Sequence, residues 1–179
     1  MPIETEKKYH LTEDQFRDIA VDLKEIGAEF CGEDFEENLI FGGGALSENN
    51  AILRVRKTQS KTILTYKKRI QNEFSVKQQI EYETEVSDAE AIEKIVESLG
   101  LKKNLVYEKR RKTFKFREVE IVLDELPFGF YMEIEGTITA IAETEMFIGA
   151  EELETEHESY PGLTARLGRQ IDGTIEARF

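Results

Sequence analysis

The chain has 179 residues, 40% of them hydrophobic and 34% charged, with a formal net charge of −13 and 3 prolines. That length and composition suit one ordered domain over residues 1–179 whose core needs neither metal nor disulfide, and they argue against disorder. The acidic balance disfavours nucleic acid and anionic membrane as partners. The lone Cys31 excludes an internal disulfide, and no apolar run reaches signal-peptide or transmembrane length, so a cytoplasmic protein is the expectation.

The first segment, "IETEKKY" at 3–9, alternates as a strand does, with Glu4, Glu6 and Lys8 on one parity and Ile3, Thr5, Lys7 and Tyr9 on the other. It runs into "LTEDQFRDIAVDLKEIGAE", where Phe16, Ile19, Ala20, Leu23 and Ile26 recur at helical spacing. Thr12 and Gln15 fit a capping box there, and Gly27 fits a C-terminal stop. "EENLIFGG", "NAILRVRKT", "KTILTYKKRI" and "QQIEYETEV" follow as strands, rich in β-branched and aromatic residues and joined by short polar breaks. A second helix spans "SDAEAIEKIVESLGL", with Ser87 and Glu90 as its capping box, Ile92, Ile95, Val96 and Leu99 as its core stripe and Gly100 as its stop. "LVYEKRRKTFKF", "EVEIVLDEL" and "FGFYMEIEGT" are strands again. The stretch "TAIAETEMFIGAEELETEHE" has weak helical spacing, and "SYPGLTARLGR" predicts a last short helix from Ser159 with Pro161 in its first turn. The expected fold class is α+β: about eight strands closing as an antiparallel β-barrel, with the helices packed on its outside.

Charge follows the strand alternation. Arg54 and Arg56 share a parity opposite Leu53 and Val55; Lys67 goes with Thr65; Glu81 and Glu83 oppose Tyr82; Lys109 and Arg111 fall together, leaving Arg110 on the other face. Asp124, Glu133 and Glu135 likewise oppose Leu123 and Ile134. Such faces ordinarily point to water in a half-buried sheet. The same pattern fits an inverted barrel whose lumen is a charged tunnel, the bases being Lys8, Arg54, Arg56, Lys67, Lys109 and Arg111 and the acids Glu4, Glu6, Glu81, Glu83, Asp124, Glu133 and Glu135. Gathering so many like charges needs counter-ions, and a polyphosphate with hard divalent cations would supply both signs.

These stretches resemble the CYTH superfamily of triphosphate tunnel metalloenzymes, which includes class IV adenylyl cyclases, thiamine triphosphatases and inorganic triphosphatases. "ETEK" is similar to the family's Glu-x-Glu-x-Lys signature, "LRVR" to its Arg-x-Arg strand, "LTYK" to its lysine strand and "EYETEVSD" to its Glu-x-Glu strand. "KRR" resembles its basic strand, "LDEL…FGFYMEIEG" its Asp strand and closing hairpin, and "SYPGL" its C-terminal Ser-Tyr helix start. The matches keep family order from Glu4 to about Leu163, which makes the set far more specific than any one of them. The resemblance implies that Lys8, Arg54, Arg56, Lys67, Lys109 and Arg111 grip a triphosphate and that Glu4, Glu6, Asp124, Glu133 and Glu135 belong to the metal-holding acids. It further implies catalytic roles for Lys8, Glu81 and Glu83, the two acids holding a second metal or positioning a water. Oxygen ligands favour Mg²⁺ or Mn²⁺ over zinc.

Other features read as structural. "GGG" at 42–44 lacks a following Gly-Lys-Ser/Thr and reads as a hairpin connection; His10 reads as a surface neighbour of the first helix cap, His157 as solvated and Cys31 as structural. "EELETEHE" reads as a solvated face or as a cover over a tunnel mouth, and Arg166 and Arg169 stand as candidates for a lid base. The first expectation of function is a metal-dependent hydrolase of inorganic, nucleoside or thiamine triphosphate. The alternatives are a class IV adenylyl cyclase forming cyclic AMP and pyrophosphate, and a polyphosphate-binding barrel without catalysis. A small-molecule triphosphate is the expected partner, with a homodimer as a further expectation for a barrel with exposed edges or helices.

Overall fold

The computed structural model describes residues 3–70 and 77–179. Its strands are β1 (Ile3–Leu11), β2 (Glu29–Gly42), β3 (Ala51–Lys57), β4 (Thr62–Ile70), β5 (Lys77–Val86), β6 (Lys102–Phe116), β7 (Val119–Leu126), β8 (Gly129–Glu135), β9 (Glu154–Thr155), β10 (Arg169–Ile171) and β11 (Thr174–Ala177). Strands β6, β2, β3, β4, β5, β1, β8 and β7 are hydrogen-bonded in that order, and β7 returns to β6, so eight strands form a ring, antiparallel at every join. The expected α+β class and the eight-strand closure are both present. Closure gives every strand of the ring a neighbour on both sides and an inner and an outer face.

At two points the ring splays, and C-terminal residues fill the gap. Strand β5 pairs with β1 only over Ile3 to Glu6, and farther along β1 the short β9 pairs with Tyr9 and His10. Likewise β7 pairs with β6 from Arg110 onward, whereas Leu105 to Tyr107 pair in parallel with β11. Between β9 and β10 lies α5 (Tyr160–Leu167), capped by Ser159 with Pro161 in its first turn, as the sequence predicts. This helix is a stopper, not an outer layer as expected: Tyr160 and Leu163 pack on Ile40, Tyr107, Leu126 and Tyr131, residues of inward parity at one end of the ring.

The other helices lie outside. Phe16, Ile19 and Leu23 of α1 (Glu13–Glu25) join Ile141 and Ile148 of α4 (Ile138–Ile148) against the outward side chains of β1, β6, β7 and β8, including Tyr9, Phe114, Ile121, Leu123, Met132 and Ile134. The Thr12–Gln15 capping box forms, and Gly27 takes the left-handed conformation that ends a helix without a Cβ penalty. Helix α3 (Ala89–Ser98) differs from expectation twice. Its N-cap is Asp88, whose carboxylate accepts from the Ala91 amide, and not Ser87. Only Val96, with Ile92 at its side, enters the core with Leu39, Phe41, Val55 and Val106, while Ile95 and Leu99 are exposed. The glycines at 42–44 lead into a one-turn helix, α2 (Gly44–Glu48), where a plain hairpin connection was expected. His10 lies within β1 and stacks on Tyr131, so it is a strand residue and not a cap neighbour. Cys31 is exposed, in a register shift of β2. Among the described residues no helix is long and apolar enough to cross a membrane.

Candidate functional site

The inward faces of the ring are ionic. A cavity of about 690 Å³ occupies the lumen, and Glu4, Glu6, Arg54, Arg56, Lys67, Glu81, Glu83, Lys109, Arg111, Glu133 and Glu135 all line it. Cross-strand register explains why: Lys67 of β4 stands opposite Glu81 of β5, Thr65 opposite Glu83, and Glu6 of β1 opposite Glu135 of β8. Arg110, one residue out of phase, is exposed and pairs with Glu125 on the outside.

Arg54, Arg56, Lys67, Lys109 and Arg111 are each met by carboxylates. Arg54 lies 3.1 Å from Glu83 and 3.6 Å from Glu81, Arg56 3.1 Å from Glu83, and Lys67 2.5 Å from Glu81 and 3.1 Å from Glu4. Arg111 makes a bidentate contact with Asp124, at 2.7 and 2.6 Å, and reaches Glu133 at 2.9 Å. Burying ions is costly unless they are paired and hydrogen-bonded, and these pairs offset that cost.

Two of the expected residues, Lys8 and Asp124, have inward parity but do not line the cavity. Asp124 is fully buried; besides Arg111 its carboxylate takes Lys109 at 3.3 Å and the Tyr160 hydroxyl at 2.8 Å. Lys8 is 2% exposed, donates to the Glu158 carbonyl and lies over the Tyr160 ring, 4.2 Å from its centroid. Burial, reinforced by the Lys77 charge, brings the Lys8 ammonium down to about 8. Neither Arg166 nor Arg169 lines the cavity; Arg166 is bound to Glu158.

The carboxylates fall into two electrostatic states. Burial, together with a hydrogen bond shared with Glu4, pushes Glu81 up to about 8. Burial and the Glu4 charge push Glu135 up to about 8 as well, and burial with the Glu133 charge raises Glu6. Burial works in the same direction on Glu83, but the Thr65 hydrogen bond and the Arg56 and Arg54 charges outweigh it and hold that carboxyl low. Repulsion among Glu4, Glu6, Glu133 and Glu135 is what a divalent cation would relieve, and oxygen donors suit a hard ion. Among the described residues, however, no group of three or more His, Cys, Asp or Glu side chains is already arranged to hold a metal. The donor set fits such an ion chemically and would need further oxygens to complete its shell.

Several lumen residues escape the sequence reading. Arg69, Lys77, Gln79 and Glu120 line the cavity, and extending the parity of β4, β5 and β7 by one or two more steps finds them. Glu36 is 4% exposed and contacts Lys109 at 3.4 Å and Arg56 at 3.6 Å. Its parity runs through Asn38 to the apolar Ile40, which hides the ionic face of β2. Tyr107 and Tyr160, with Ile52 and Pro161, give the cavity one aromatic and aliphatic side.

The CYTH domain family matches residues 2–166 of the chain. PH1012 of Pyrococcus horikoshii OT3 shares the fold with a TM-score of 0.77 at 27% identity, over 88% of this chain and 96% of that one. HpAC1 of Hippeastrum, an adenylyl cyclase candidate described as having a dominant triphosphatase activity, superposes with a TM-score of 0.70 at 18% identity, over 98% of this chain and 100% of that one. The RNA triphosphatase Pct1 of Schizosaccharomyces pombe follows at 0.53 and 15% identity, over 85% and 77%. At those last two identities the likeness is one of fold. No curated protein matches the chain.

Proposed function

The chain belongs to the CYTH domain family, and on that premise we propose that it is a divalent-metal-dependent phosphohydrolase acting on inorganic triphosphate, a nucleoside triphosphate or thiamine triphosphate. One observation carries the reading: Arg54, Arg56, Lys67, Lys109 and Arg111 meet Glu4, Glu6, Glu81, Glu83, Glu133 and Glu135 in a single cavity of about 690 Å³. Phosphoryl transfer needs positioning and charge neutralisation more than covalent chemistry, and this inventory offers both. A triphosphate would replace the carboxylates as counter-anion of the bases, and the released carboxylates would turn to the metal.

Glu4, Glu6, Glu133 and Glu135 would hold Mg²⁺ or Mn²⁺, with phosphate oxygens completing the shell. Bound there, the ion supplies neutralisation of phosphate charge. Asp124, already engaged by Arg111, Lys109 and Tyr160, acts as the anchor of the basic clamp and not as a free ligand. Lys8 lies over the ring of Tyr160, whose hydroxyl donates to Asp124, and supports the clamp through that ring. Of the remaining pair, Glu83 is held low and can accept a proton from water, whereas Glu81, raised to about 8 by burial and Glu4, can exchange a proton near neutral pH. A supply of soluble triphosphates agrees with a cytoplasmic setting.

A second reading is a class IV adenylyl cyclase, favoured by the side of the cavity formed by Ile52, Tyr107, Tyr160 and Pro161, which could take an organic group. Incubation with inorganic triphosphate, ATP or thiamine triphosphate, each with Mg²⁺ or Mn²⁺, tests the choice. Metal-dependent release of phosphate is expected. Cyclic AMP with pyrophosphate would establish the cyclase instead, and absence of turnover with all three would leave a binding protein.

A further inference from the structure

We propose that Glu36 sets how far a phosphate chain can enter the lumen, making it the residue that selects for phosphate chain length. The inference rests on the triphosphate reading above and adds a determinant to it.

Strand β2 lies between β3 and β6, so Glu36 projects between Arg56 and Lys109. Asn38 holds it from its own strand, Nδ2 donating at 3.3 Å. Through these contacts Glu36 belongs to a belt of ion pairs crossing the lumen wall: Glu83 to Arg56, Arg56 to Glu36, Glu36 to Lys109, Lys109 to Asp124 and Asp124 to Arg111. Beyond the belt lies a second cavity, of about 270 Å³. Arg56, Arg111 and Glu120 line both cavities, whereas Glu36 lines only the second. The two spaces therefore meet at the belt, with the Glu36 carboxylate on the far side.

A phosphate gripped by Arg56 and Lys109 from the main cavity shares those cations with Glu36. The next phosphate toward the second cavity would meet that carboxylate first, with Glu33, Asp34 and the Lys61 ammonium in the space behind it. Room does not stop it, because a water occupies about 30 Å³ and the second cavity is several times larger. The Glu36 charge opposes it: Lys109, Arg111 and Arg56 keep that carboxylate ionised against the effect of burial, and it stands at the entrance ahead of Lys61. Like charges in a partly desolvated passage repel strongly.

The test compares inorganic triphosphate with inorganic tetraphosphate, measuring kcat/KM with Mg²⁺ and Kd by calorimetry, for wild type, Glu36→Gln and Glu36→Asp. Wild type is expected to gain nothing from the fourth phosphate. Glu36→Gln is expected to move the tetraphosphate-to-triphosphate ratio about tenfold or more toward the longer chain, in line with one added charge-assisted contact. Glu36→Asp, which keeps the charge, should hold the wild-type ratio. Should Glu36→Gln fail to fold, the surface double variant Glu33→Gln/Asp34→Asn should move the ratio in the same direction by a smaller factor. Wild type that handles triphosphate, beside folded variants with an unchanged ratio, overturns the chain-length role alone. Wild type that neither binds nor hydrolyses triphosphate overturns the functional reading and this inference with it.

Discussion

At the scale of single residues, the state of Glu81 is the most revealing feature of the lumen. Its carboxyl moves from an ordinary 4.5 up to about 8 because burial and the neighbouring Glu4 both disfavour its charge, although Lys67 pulls the other way. A carboxyl with a raised folded value binds more protons in the folded state than in the unfolded state between those limits, so stability falls as pH rises from about 4.5 to about 8. Glu4, held at about 2, titrates below that window and does not change the sign. Denaturant midpoints of metal-free protein at pH 5 and pH 8 should therefore drop for wild type and drop less for Glu81→Gln. Equal slopes in the two proteins would refute the assignment. Which member of "EKRRK" faces inward was legible as parity: Lys109 and Arg111 do, Arg110 does not. That Lys8 and Asp124 are covered and do not line the cavity was not legible, because it depends on Tyr160 arriving from a distant helix to contact both.

At the scale of elements, local signals predicted what local chemistry controls. The Thr12–Gln15 box and the Ser159 cap form as the sequence requires, since each needs only three or four neighbouring residues. The start of α3 separates two adjacent candidates. Asp88→Ala should cost about 1 kcal/mol in thermal or chemical denaturation, and Ser87→Ala should fall within about 0.5 kcal/mol of wild type; the reverse order would restore Ser87 as the cap. The link between α5 and β10 is a second sensitive point. A Cβ at Gly168 would stand 2.6 Å from the Thr164 carbonyl oxygen and 2.9 Å from that of Glu176, both backbone atoms that cannot swing away. Gly168→Ala should cost about 1–3 kcal/mol through strain and loosen the stopper. A melting temperature unchanged by that substitution would show that α5 tolerates displacement.

At the scale of the whole molecule, the ring inverts the usual arrangement, with an apolar layer outside the sheet under α1, α3 and α4 and charge within. A protein of net charge −13 repels a polyanion in bulk, but seven of its 24 bases line one cavity, where a polyphosphate could displace the seven glutamates that line it beside them. Inorganic triphosphate with Mg²⁺ at about one hundred times Kd should stabilise the fold by about 2.7 kcal/mol. For a chain of this size that corresponds to a rise in Tm of about 5–10 °C. Screening of any exposed part of the interaction should weaken the affinity as salt increases. A Tm indifferent to triphosphate in the presence of Mg²⁺ would remove the lumen as its binding site.

The sequence by itself determined the strand and helix pattern, the inward parity of nearly every charged pair and the family, because period-2 alternation and capping are written within a few residues of one another. Tertiary structure alone decided which charges reach the cavity. Glu36 is ionic only by virtue of the strands on either side of it, and its own strand reads as apolar beyond Asn38. One end of the ring is closed by α5, where β5 and β7 part from β1 and β6 and leave edges that β9 and β11 pair with. Backbone groups there cannot remain unpaired away from water, and that requirement, which no single segment displays, seats Tyr160 between Lys8, Lys109 and Asp124.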